Sequence, residues 1–327
     1  MRYFLGIDVG GTKSHALIAD EFGNARGFGE GGRGNPNGIG YDAFGKLVAD
    51  ISQQALNQAQ ITREQIAGMA LGIGGYDWAF ERVGLLATLE PMKLSAPIEL
   101  YNDADLGIPA GTTEGWGIAV VSGSGSNCRG WNRERTRIGR MSGYGSLMDE
   151  GAGASEMRTK IIHAVSRAWS RRGPKTRLTQ ALIEILQARD EDDLIEGLCK
   201  NRYRLSSQHS RMVFQFAAEG DLVSQELIEW AGRALGDLVL GVVSQLEFET
   251  VAFEVVMIGS FFNGSPMLAK NMGAVIHRVA PYARLVRLEA PPVVGATLLA
   301  MDLANVPSAA FRLNLIQTTR TFTTFQV

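Results

Sequence analysis

The sequence has few cysteines and histidines, and this scarcity excludes several classes of protein. Its 327 residues include only two cysteines, Cys128 and Cys199, which lie far apart. Two thiols cannot build a disulfide framework, or a four-cysteine zinc site or cluster, within one chain. The four histidines show no metal-ligand spacing, and we interpret them as core-edge or surface residues: His15, His163, His209 and His277.

The sequence also lacks an excess of charge and any long apolar run. Its formal net charge is −2 and its pI about 6.1, so we expect no nucleic acid partner. No apolar run approaches the ~18–20 residues that span a bilayer, and the N-terminus lacks the pattern of a signal peptide. We therefore expect a cytoplasmic protein with reduced thiols and no membrane partner. The ordinary globular composition and the length predict two domains, each with its own core.

The stretch LGIDVGGTKSHALIAD near the N-terminus places two apolar runs on either side of a Gly-Gly turn, which predicts a β-hairpin. Gly10 and Gly11 carry no Cβ, so a ligand can approach the backbone closely. Asp8 ends the first strand, where its carboxylate could hold a metal-bound water, and Thr12 and Lys13 add a hydroxyl and a cation. These groups suit a polyphosphate. A plain hairpin whose Asp8 caps the turn is an equal alternative from this stretch alone.

The same strand–glycine turn–strand pattern returns after Trp116, in GIAVVSGSGSNCRGW. Two copies, each followed by helices and another strand, predict an internally duplicated α/β protein. Phosphate binding requires backbone N–H groups with no side chain in the way. Small residues serve this purpose in the second turn and after a later strand: Gly123, Ser124, Gly125, Ser126, Gly259 and Ser260. The two hairpins together could close on one polyphosphate from opposite sides.

An acid follows the strand predicted at residues 98–101. Asp103 lies there with Asn102 beside it, between the two hairpins in sequence. A carboxylate within hydrogen-bonding distance of a hydroxyl can take its proton as a phosphoryl group is transferred. An Asn-Asp turn without catalytic function explains the local sequence equally well.

Helical spacing of apolar residues predicts the remaining architecture. The chain between residues 151 and 241 is predicted to be mostly helical. Individual helices are expected at residues 42–58, 81–88, 221–245, 266–279 and, as the final helix, 295–304.

Six motifs occur in the order found in the N-acetylglucosamine kinase and BadF/BadG/BcrA/BcrD ATPase family: LGIDVGGTKS, LYNDAD, VVSGSGSNCRGW, GYGSLMDEGAGA, VVMIGSFFN and PPVVGATLLA. The chain resembles this family over nearly its whole length. The resemblance implies an α/β fold of the actin, Hsp70 and sugar-kinase type, with two ribonuclease-H-like domains facing each other across a nucleotide cleft. The implied domains are residues 1–115 with about 293–310, and residues 116–292. Residues 311–327 are then a tail of unknown role.

The resemblance also implies roles for residues of the motifs, with ATP and Mg²⁺ as cofactors. Asp8 resembles the acid that holds Mg²⁺ through water, and Asp103 resembles the catalytic base. Gly10, Gly11 and Thr12, with Lys13 beside them, resemble the first phosphate loop. The second phosphate loop corresponds to Gly123, Ser124, Gly125 and Ser126, and the adenosine contact to Gly259 and Ser260.

The resemblance places a sugar against Asn35, Asp103, the Gly143–Tyr144 pair and Asp149. Amide and carboxylate groups suit sugar hydroxyls, which present paired donors and acceptors. Two features depart from the family pattern. Tyr144 stands where tryptophan is usual, and the stretch before Asp149 is one residue shorter than in N-acetylglucosamine kinases of animal type. N-acetylglucosamine, glucosamine and a related hexose therefore all stay open as the acceptor.

The sequence thus predicts an ATP-dependent amino-sugar kinase that phosphorylates the 6-hydroxyl, with Asp103 as general base, and we expect a homodimer. An ATPase that activates a 2-hydroxyacyl-CoA dehydratase or benzoyl-CoA reductase is the first alternative. Such activators hold an iron–sulfur cluster between subunits that each donate two cysteines, and Cys128 and Cys199 are not paired in sequence. A non-enzymatic nucleotide switch is the second alternative. A sugar kinase of the ROK type would need a cysteine-rich zinc motif, which the chain lacks.

Overall fold

Residues 1–323 of the computed structural model form two five-stranded mixed sheets. The first sheet has the order β3-β2-β1-β4-β5, with β1, β2 and β3 antiparallel and β1, β4 and β5 parallel. Its strands are β1 (Tyr3–Val9), β2 (Ser14–Asp20), β3 (Ala25–Gly31), β4 (Ile66–Ile73) and β5 (Ile98–Asn102). The central strands β1, β2 and β4 are almost wholly buried, which explains their continuous apolar runs.

The second sheet repeats the topology of the first. Its order is β10-β9-β6-β7-β8, with an antiparallel β6–β7–β8 meander and parallel pairing of β6, β9 and β10. The strands are β6 (Gly117–Ser122), β7 (Ser126–Trp131), β8 (Ile138–Arg140), β9 (Phe253–Ile258) and β10 (Ala283–Arg287). The internal duplication predicted from the two glycine-turn hairpins is therefore confirmed.

Twelve helices connect or cover the strands within residues 1–323. They are α1 (Pro36–Ile39), α2 (Tyr41–Ala59), α3 (Arg82–Leu89), α4 (Gly107–Gly111), α5 (Ala154–Trp169), α6 (Arg177–Leu186), α7 (Glu191–Cys199), α8 (Met212–Ala218), α9 (Leu222–Leu246), α10 (Pro266–Ile276), α11 (Pro292–Leu303) and α12 (Arg312–Thr319). The predicted helices are all present, with ends shifted by at most three residues. No helix in this part of the chain is long and apolar enough to cross a membrane.

The prediction that the helix near residues 295–304 is the last one is wrong, because α12 follows it. Thr318 accepts a hydrogen bond from the backbone N–H of Ala25 at 3.0 Å. Asn314 donates to the carbonyl of Phe22 at 2.9 Å, so α12 lies against the turn between β2 and β3. Its sequence RLNLIQTT is polar and rich in threonine, which has low helix propensity, so its local signal is weak. The rest of the predicted tail, residues 324–327, lies outside the described residues.

Helix α11 is buried on all sides and packs on the first sheet. Glycines let it approach the backbone of neighbouring elements: a Cβ at Gly6 of β1 would lie 2.2 Å from the Thr297 nitrogen. A Cβ at Gly295 would lie 1.9 Å from the carbonyl oxygen of Leu106. Leu106 belongs to the short turn that begins at Asp103. The contact of α11 with that turn supports the part of the cleft that contains the predicted base. The domain boundaries given above stay a prediction.

We expect Gly295→Ala to lower the free energy of unfolding by about 1–3 kcal/mol, because the added methyl group would push α11 away from the turn. Urea denaturation measures this change. Gly273→Ala in α10 is a matched control, since the nearest atom to its Cβ would be 3.5 Å away, an ordinary contact. We expect the control to be neutral or stabilising by up to ~1 kcal/mol. Equal midpoints for the two variants would contradict this account of the packing.

Candidate functional site

The turns of the two predicted hairpins face each other across a cleft of about 580 Å³. Residues from both sheets line it. Ten of the predicted site residues are on its wall: Gly11, Thr12, Asn35, Asp103, Gly123, Ser124, Gly125, Ser126, Gly143 and Tyr144. The sequence analysis placed these residues in one site although up to 133 positions separate them, from Gly11 to Tyr144.

The glycines of both turns present bare backbone to the cleft. Among the described residues, no atom lies within 4 Å of a Cβ built on Gly11, Gly123 or Gly125. The first turn is closed by a hydrogen bond from the Gly10 N–H to the Lys13 carbonyl at 3.0 Å. The open space beside the glycines is the kind of cradle that phosphate oxygens fill, because no side chain keeps them from the N–H groups.

The second turn is fixed by the start of α5. The backbone N–H groups of Ala154 and Ser155 donate to the carbonyls of Gly123 and Ser124, both at 2.9 Å. The first N–H groups of a helix have no partner within the helix, so these two bonds satisfy the helix and the turn at once. The turn is therefore held rigidly before any ligand binds.

Two acids lie at the carboxyl ends of strands in the first sheet. Asp8 precedes the end of β1, and Asp103 follows β5. Burial, together with the nearby Asp103 carboxylate, raises the pKa of Asp8 to about 7, against a smaller lowering effect of Lys13. Burial and the Asp77 carboxylate raise the pKa of Asp103 to about 6. Both acids are thus in a place where a cation would favour their charged forms.

The donor set at these acids fits Mg²⁺ held largely by water and phosphate. Within residues 1–323 no group of three or more His, Cys, Asp or Glu side chains is arranged to hold a metal ion. Mg²⁺ commonly keeps several waters and binds through one or two carboxylates and the substrate phosphates. Asp8 is the carboxylate that would hold the ion in this way. Burial and the Asp103 carboxylate raise the pKa of Asp8, and a bound cation would oppose this effect.

The turn that begins at Asp103 is held by capping hydrogen bonds. The Asp105 carboxylate accepts from the Asn102 backbone N–H at 3.0 Å, and the Asn102 side chain accepts from the Ala104 N–H at 3.1 Å. Asp105 is buried and caps the turn, and burial raises its pKa to about 6. Gly74 leaves room for the Asp103 side chain, because a Cβ there would lie 3.1 Å from the Asp103 carboxylate.

The structure brings only some of the residues predicted to bind the sugar to the cleft wall. Asn35 caps α1 by accepting from the Asn37 N–H at 2.9 Å, and its side chain lies against Gly75 on the cleft wall. Asp149 is exposed and is not among the residues that line the cleft. It ends a short helical turn in the left-handed conformation, with φ of 57°. Its predicted role in sugar binding stays a prediction.

The buried acid of that segment is Glu150, which follows Asp149 directly. Its carboxylate accepts from the Ser142 N–H at 2.9 Å, the Ser142 hydroxyl at 2.7 Å and the Gly143 N–H at 2.8 Å. Glu150 therefore fixes the backbone that carries Gly143 and Tyr144 into the cleft.

The predicted adenosine contact lies in a neighbouring cavity of about 430 Å³. Ser260 lines this cavity, and Gly123 and Ser124 line both the cavity and the cleft. Gly259 has φ of 105°, and a Cβ there would lie 2.2 Å from the carbonyl oxygen of Ser122. Only glycine fits this close approach. The cleft and this cavity therefore adjoin at Gly123 and Ser124.

From the sequence, Asp77 stays open between a substrate contact and a turn cap, and Asn127 and Arg129 are not assigned to the site. Asp77 and Asn127 line the cleft, and Arg129 donates to the Asp77 carboxylate at 2.9 Å. Asn127 and Arg129 stand in the motif SGSGSNCRGW directly after the second phosphate turn. Their alternation along the strand is the signal that places both on one face.

The two facing sheets, with a glycine turn from each at one cleft, define a two-lobed nucleotide-binding fold of the actin-like ATPases. Residues 5–300 match the BadF/BadG/BcrA/BcrD ATPase family. The chain belongs to this family, as the six motifs predicted.

Curated relatives cover nearly the whole chain. It is 25% identical over 303 residues to the N-acetylmuramic acid/N-acetylglucosamine kinase of Clostridium acetobutylicum, covering 92% of this chain and 98% of the relative. It is 26% identical over 312 residues to the N-acetyl-D-glucosamine kinase of Dictyostelium discoideum, covering 91% and 98%.

Solved structures agree on the fold. A provisionally assigned N-acetylglucosamine kinase from Chromobacterium violaceum superposes with a TM-score of 0.66 at 19% identity, covering 92% of this chain and 99% of that one. A ROK hexokinase from Thermus thermophilus gives 0.54 at 17% identity, covering 91% and 98%. These similarities support the two-lobed architecture.

A methyl group added at Gly123 should affect ATP binding without affecting the stability of the fold. We expect Gly123→Ala to leave the melting temperature nearly unchanged, because its Cβ meets open space, yet to weaken ATP binding about tenfold or more, equivalent to ~1.4 kcal/mol. Calorimetric titration with Mg-ATP measures the affinity. Gly32→Ala, which also meets open space but lies off the cleft wall, is the control. Unchanged ATP affinity in Gly123→Ala would show that the nucleotide binds elsewhere.

Proposed function

We propose that the protein is an ATP-dependent amino-sugar kinase that transfers the γ-phosphoryl group to the 6-hydroxyl of N-acetylglucosamine or a closely related sugar. One observation carries the proposal: the half-buried carboxylate of Asp103 lies in the same cleft as two glycine turns suited to phosphate. Both curated relatives are sugar kinases by name, and both names include N-acetylglucosamine. That agreement favours transfer to a sugar over simple hydrolysis.

The residues of the cleft have distinct tasks in this proposal. The N–H groups of the turns at Gly10–Thr12 and Gly123–Ser126 hold the phosphates from opposite sides, and Ser260 lies at the adenosine end. Asp103, as a carboxylate, takes the proton of the attacking sugar hydroxyl. Mg²⁺ near Asp8 supplies positive charge that neutralises the phosphates. Positioning and this charge stabilisation would provide most of the rate acceleration.

Amide side chains give the sugar end of the cleft its hydrogen-bonding capacity. Asn35 and Asn127 both line it and are half-buried, and each amide offers donors and an acceptor. An unpaired buried polar group costs ~1–3 kcal/mol, so a sugar that lacks a matching hydroxyl is rejected. Tyr144 and Trp78 meet at the edge of this end, where the indole N–H donates to the phenol oxygen over 3.4 Å. In the proposed arrangement Tyr144, which lines the cleft, forms a wall beside the sugar.

The activator alternative gains no support from the cysteines. Cys128 is buried in β7, and burial raises the pKa of its thiol, which disfavours the thiolate that a cluster requires. Cys199 is exposed at the end of α7, on a different element. The paired arrangement of an iron–sulfur activator is therefore not present among the described residues.

An acceptor panel tests the proposed reaction. Purified protein with Mg-ATP should release ADP in the presence of one amino sugar among N-acetylglucosamine, glucosamine, N-acetylmannosamine and N-acetylmuramic acid. Glucose and a sample without sugar are the controls. ADP release that does not depend on sugar, or no release at all, would overturn the kinase proposal in favour of an activator or a nucleotide switch.

The base assignment predicts a mutational and a pH effect. Asp103→Asn should lower kcat about 10²–10⁴-fold while leaving calorimetric ATP affinity nearly unchanged, because the amide fills the same space but accepts no proton. In the wild-type protein only the carboxylate is active, so kcat/KM for the sugar should fall as the pH drops through the raised pKa of about 6. Wild-type turnover by Asp103→Asn would assign the base to another residue.

A further inference from the structure

A buried ion pair joins the two sheets beside the cleft. Nη2 of Arg129, in β7, donates to Oδ1 of Asp77, in the loop after β4, over 2.9 Å. The Arg129 side chain is 8% exposed and that of Asp77 is 15% exposed, so solvent ions screen the pair little. Because β7 belongs to the second sheet and β4 to the first, this bond ties one half of the cleft to the other.

The Asn102 side chain lies beside this ion pair and is hydrogen-bonded to Asp77 and to Asn127. Its Nδ2 donates to the same Asp77 oxygen and to the backbone carbonyl of Tyr76, both at 3.1 Å. Its Oδ1 accepts from the Ala104 N–H at 3.1 Å and from Nδ2 of Asn127 at 3.2 Å. Asn127 and Arg129 are two residues apart in β7 and so point to the same face of the sheet. Side by side, they hold Asn102 and Asp77.

The orientation of Asn102 matters because Asp103 follows it directly. The bond from the Ala104 N–H to the Asn102 side chain encloses Asp103 in a closed turn. We infer that Arg129 is a positioning residue: through Asp77 it fixes the Asn102 side chain and thereby sets the direction in which the Asp103 carboxylate enters the cleft. The structural part of this inference rests on the hydrogen bonds alone, and its kinetic part rests on the proposed kinase function.

The loss of Arg129 would leave Asp77 as a buried charge without its cation. Burial already raises the pKa of Asp77 even with Arg129 in place. An uncompensated carboxylate moves toward water or takes a proton, and in either case the Asn102 amide keeps the Tyr76 carbonyl but loses Asp77 as a fixed acceptor. The change would reach Asp103 through the turn without any direct contact between Arg129 and the substrate.

Arg140 provides a matched control. Its Nη1 donates to the backbone carbonyl of Asp77, and its guanidinium lies 4.7 Å from the centre of the Trp78 ring. It is exposed and does not touch the Asp77 carboxylate in the described part of the chain. Arg140→Met therefore removes a cation that contacts the same loop from β8, while leaving the Asp77 carboxylate bonded to Asn102.

Hydrogen–deuterium exchange tests the structural part without any ligand. In Arg129→Met the backbone amide of Ala104 should exchange about tenfold faster or more, because its acceptor on Asn102 loses one of the bonds that fix it. Arg140→Met should exchange like the wild-type protein. Equal protection of Ala104 in Arg129→Met and the wild-type protein would overturn the inference, whatever the substrate proves to be.

Kinetics test the consequence for the reaction. Arg129→Met should lower kcat roughly 10–100-fold with KM for ATP nearly unchanged, and Arg129→Lys should restore part of the rate. Asp77→Asn combined with Arg129→Met removes the unpaired charge, so it should recover the melting temperature but not kcat. Recovery of both would show that Arg129 acts on stability alone and would overturn the inference.

The two proposals fail in distinguishable ways. If no sugar supports ADP release by the wild-type protein while Ala104 exchanges faster in Arg129→Met, the kinase proposal fails and the anchoring of Asn102 by Arg129 is supported. If the wild-type protein is an active kinase and Arg129→Met keeps its kcat, the kinase proposal stands and the positioning inference fails.

Discussion

The cleft depends on the geometry of parallel strands, whose carboxyl ends meet at one edge of a sheet. In the first sheet β1, β4 and β5 run parallel, so Asp8, Gly74 and Asp103 reach the same edge. In the second sheet β6 and β9 run parallel, so the second glycine turn and the Gly259–Ser260 turn also meet. Because the two sheets have the same strand order, the duplicated edges present equivalent turns to each other. Ligands of open α/β sheets bind beyond the carboxyl ends of strands for this reason.

The local parts of this arrangement were predictable from the sequence. A glycine turn between two apolar runs specifies a hairpin within about 16 residues, and both hairpins formed as expected. Asp103 after β5 was also predictable, since the end of an apolar strand and the acid that follows it are both visible in the local sequence. Helix α11 was predicted from the apolar run near residues 295–304, although its burial on every side became evident only from its packing.

The remaining parts depend on contacts between distant segments. No local pattern shows that Arg129 pairs with Asp77, 52 positions away. Likewise, the backbone angle that turns Asp149 to solvent, and the choice of Glu150 as the buried acid, are set by hydrogen bonds to Ser142 and Gly143. Helix α12 has weak local propensity and is stabilised by bonds to the β2–β3 turn, almost 300 residues away. Such features arise from tertiary structure that overrides or supplements local preference.

Charge in the cleft follows from its burial. Asp8, Asp103 and Asp105 all have raised pKa values because water is excluded from them. A site of this kind favours bound cations, and Arg129 is a buried arginine at its edge. The same desolvation that raises the pKa of Asp103 makes it a better proton acceptor near neutral pH. The burial of these acids in the cleft therefore explains both their raised pKa values and the proton transfer proposed for Asp103.

The most direct test of the central claim is a crystal structure of the protein with Mg²⁺, a non-hydrolysable ATP analogue and the preferred amino sugar. The account predicts the analogue's terminal phosphate between the Gly10–Thr12 and Gly123–Ser126 turns. It also predicts the sugar's 6-hydroxyl about 2.6–3.2 Å from the Asp103 carboxylate. A sugar whose reactive hydroxyl faces another side chain, or phosphates bound outside the two turns, would contradict it.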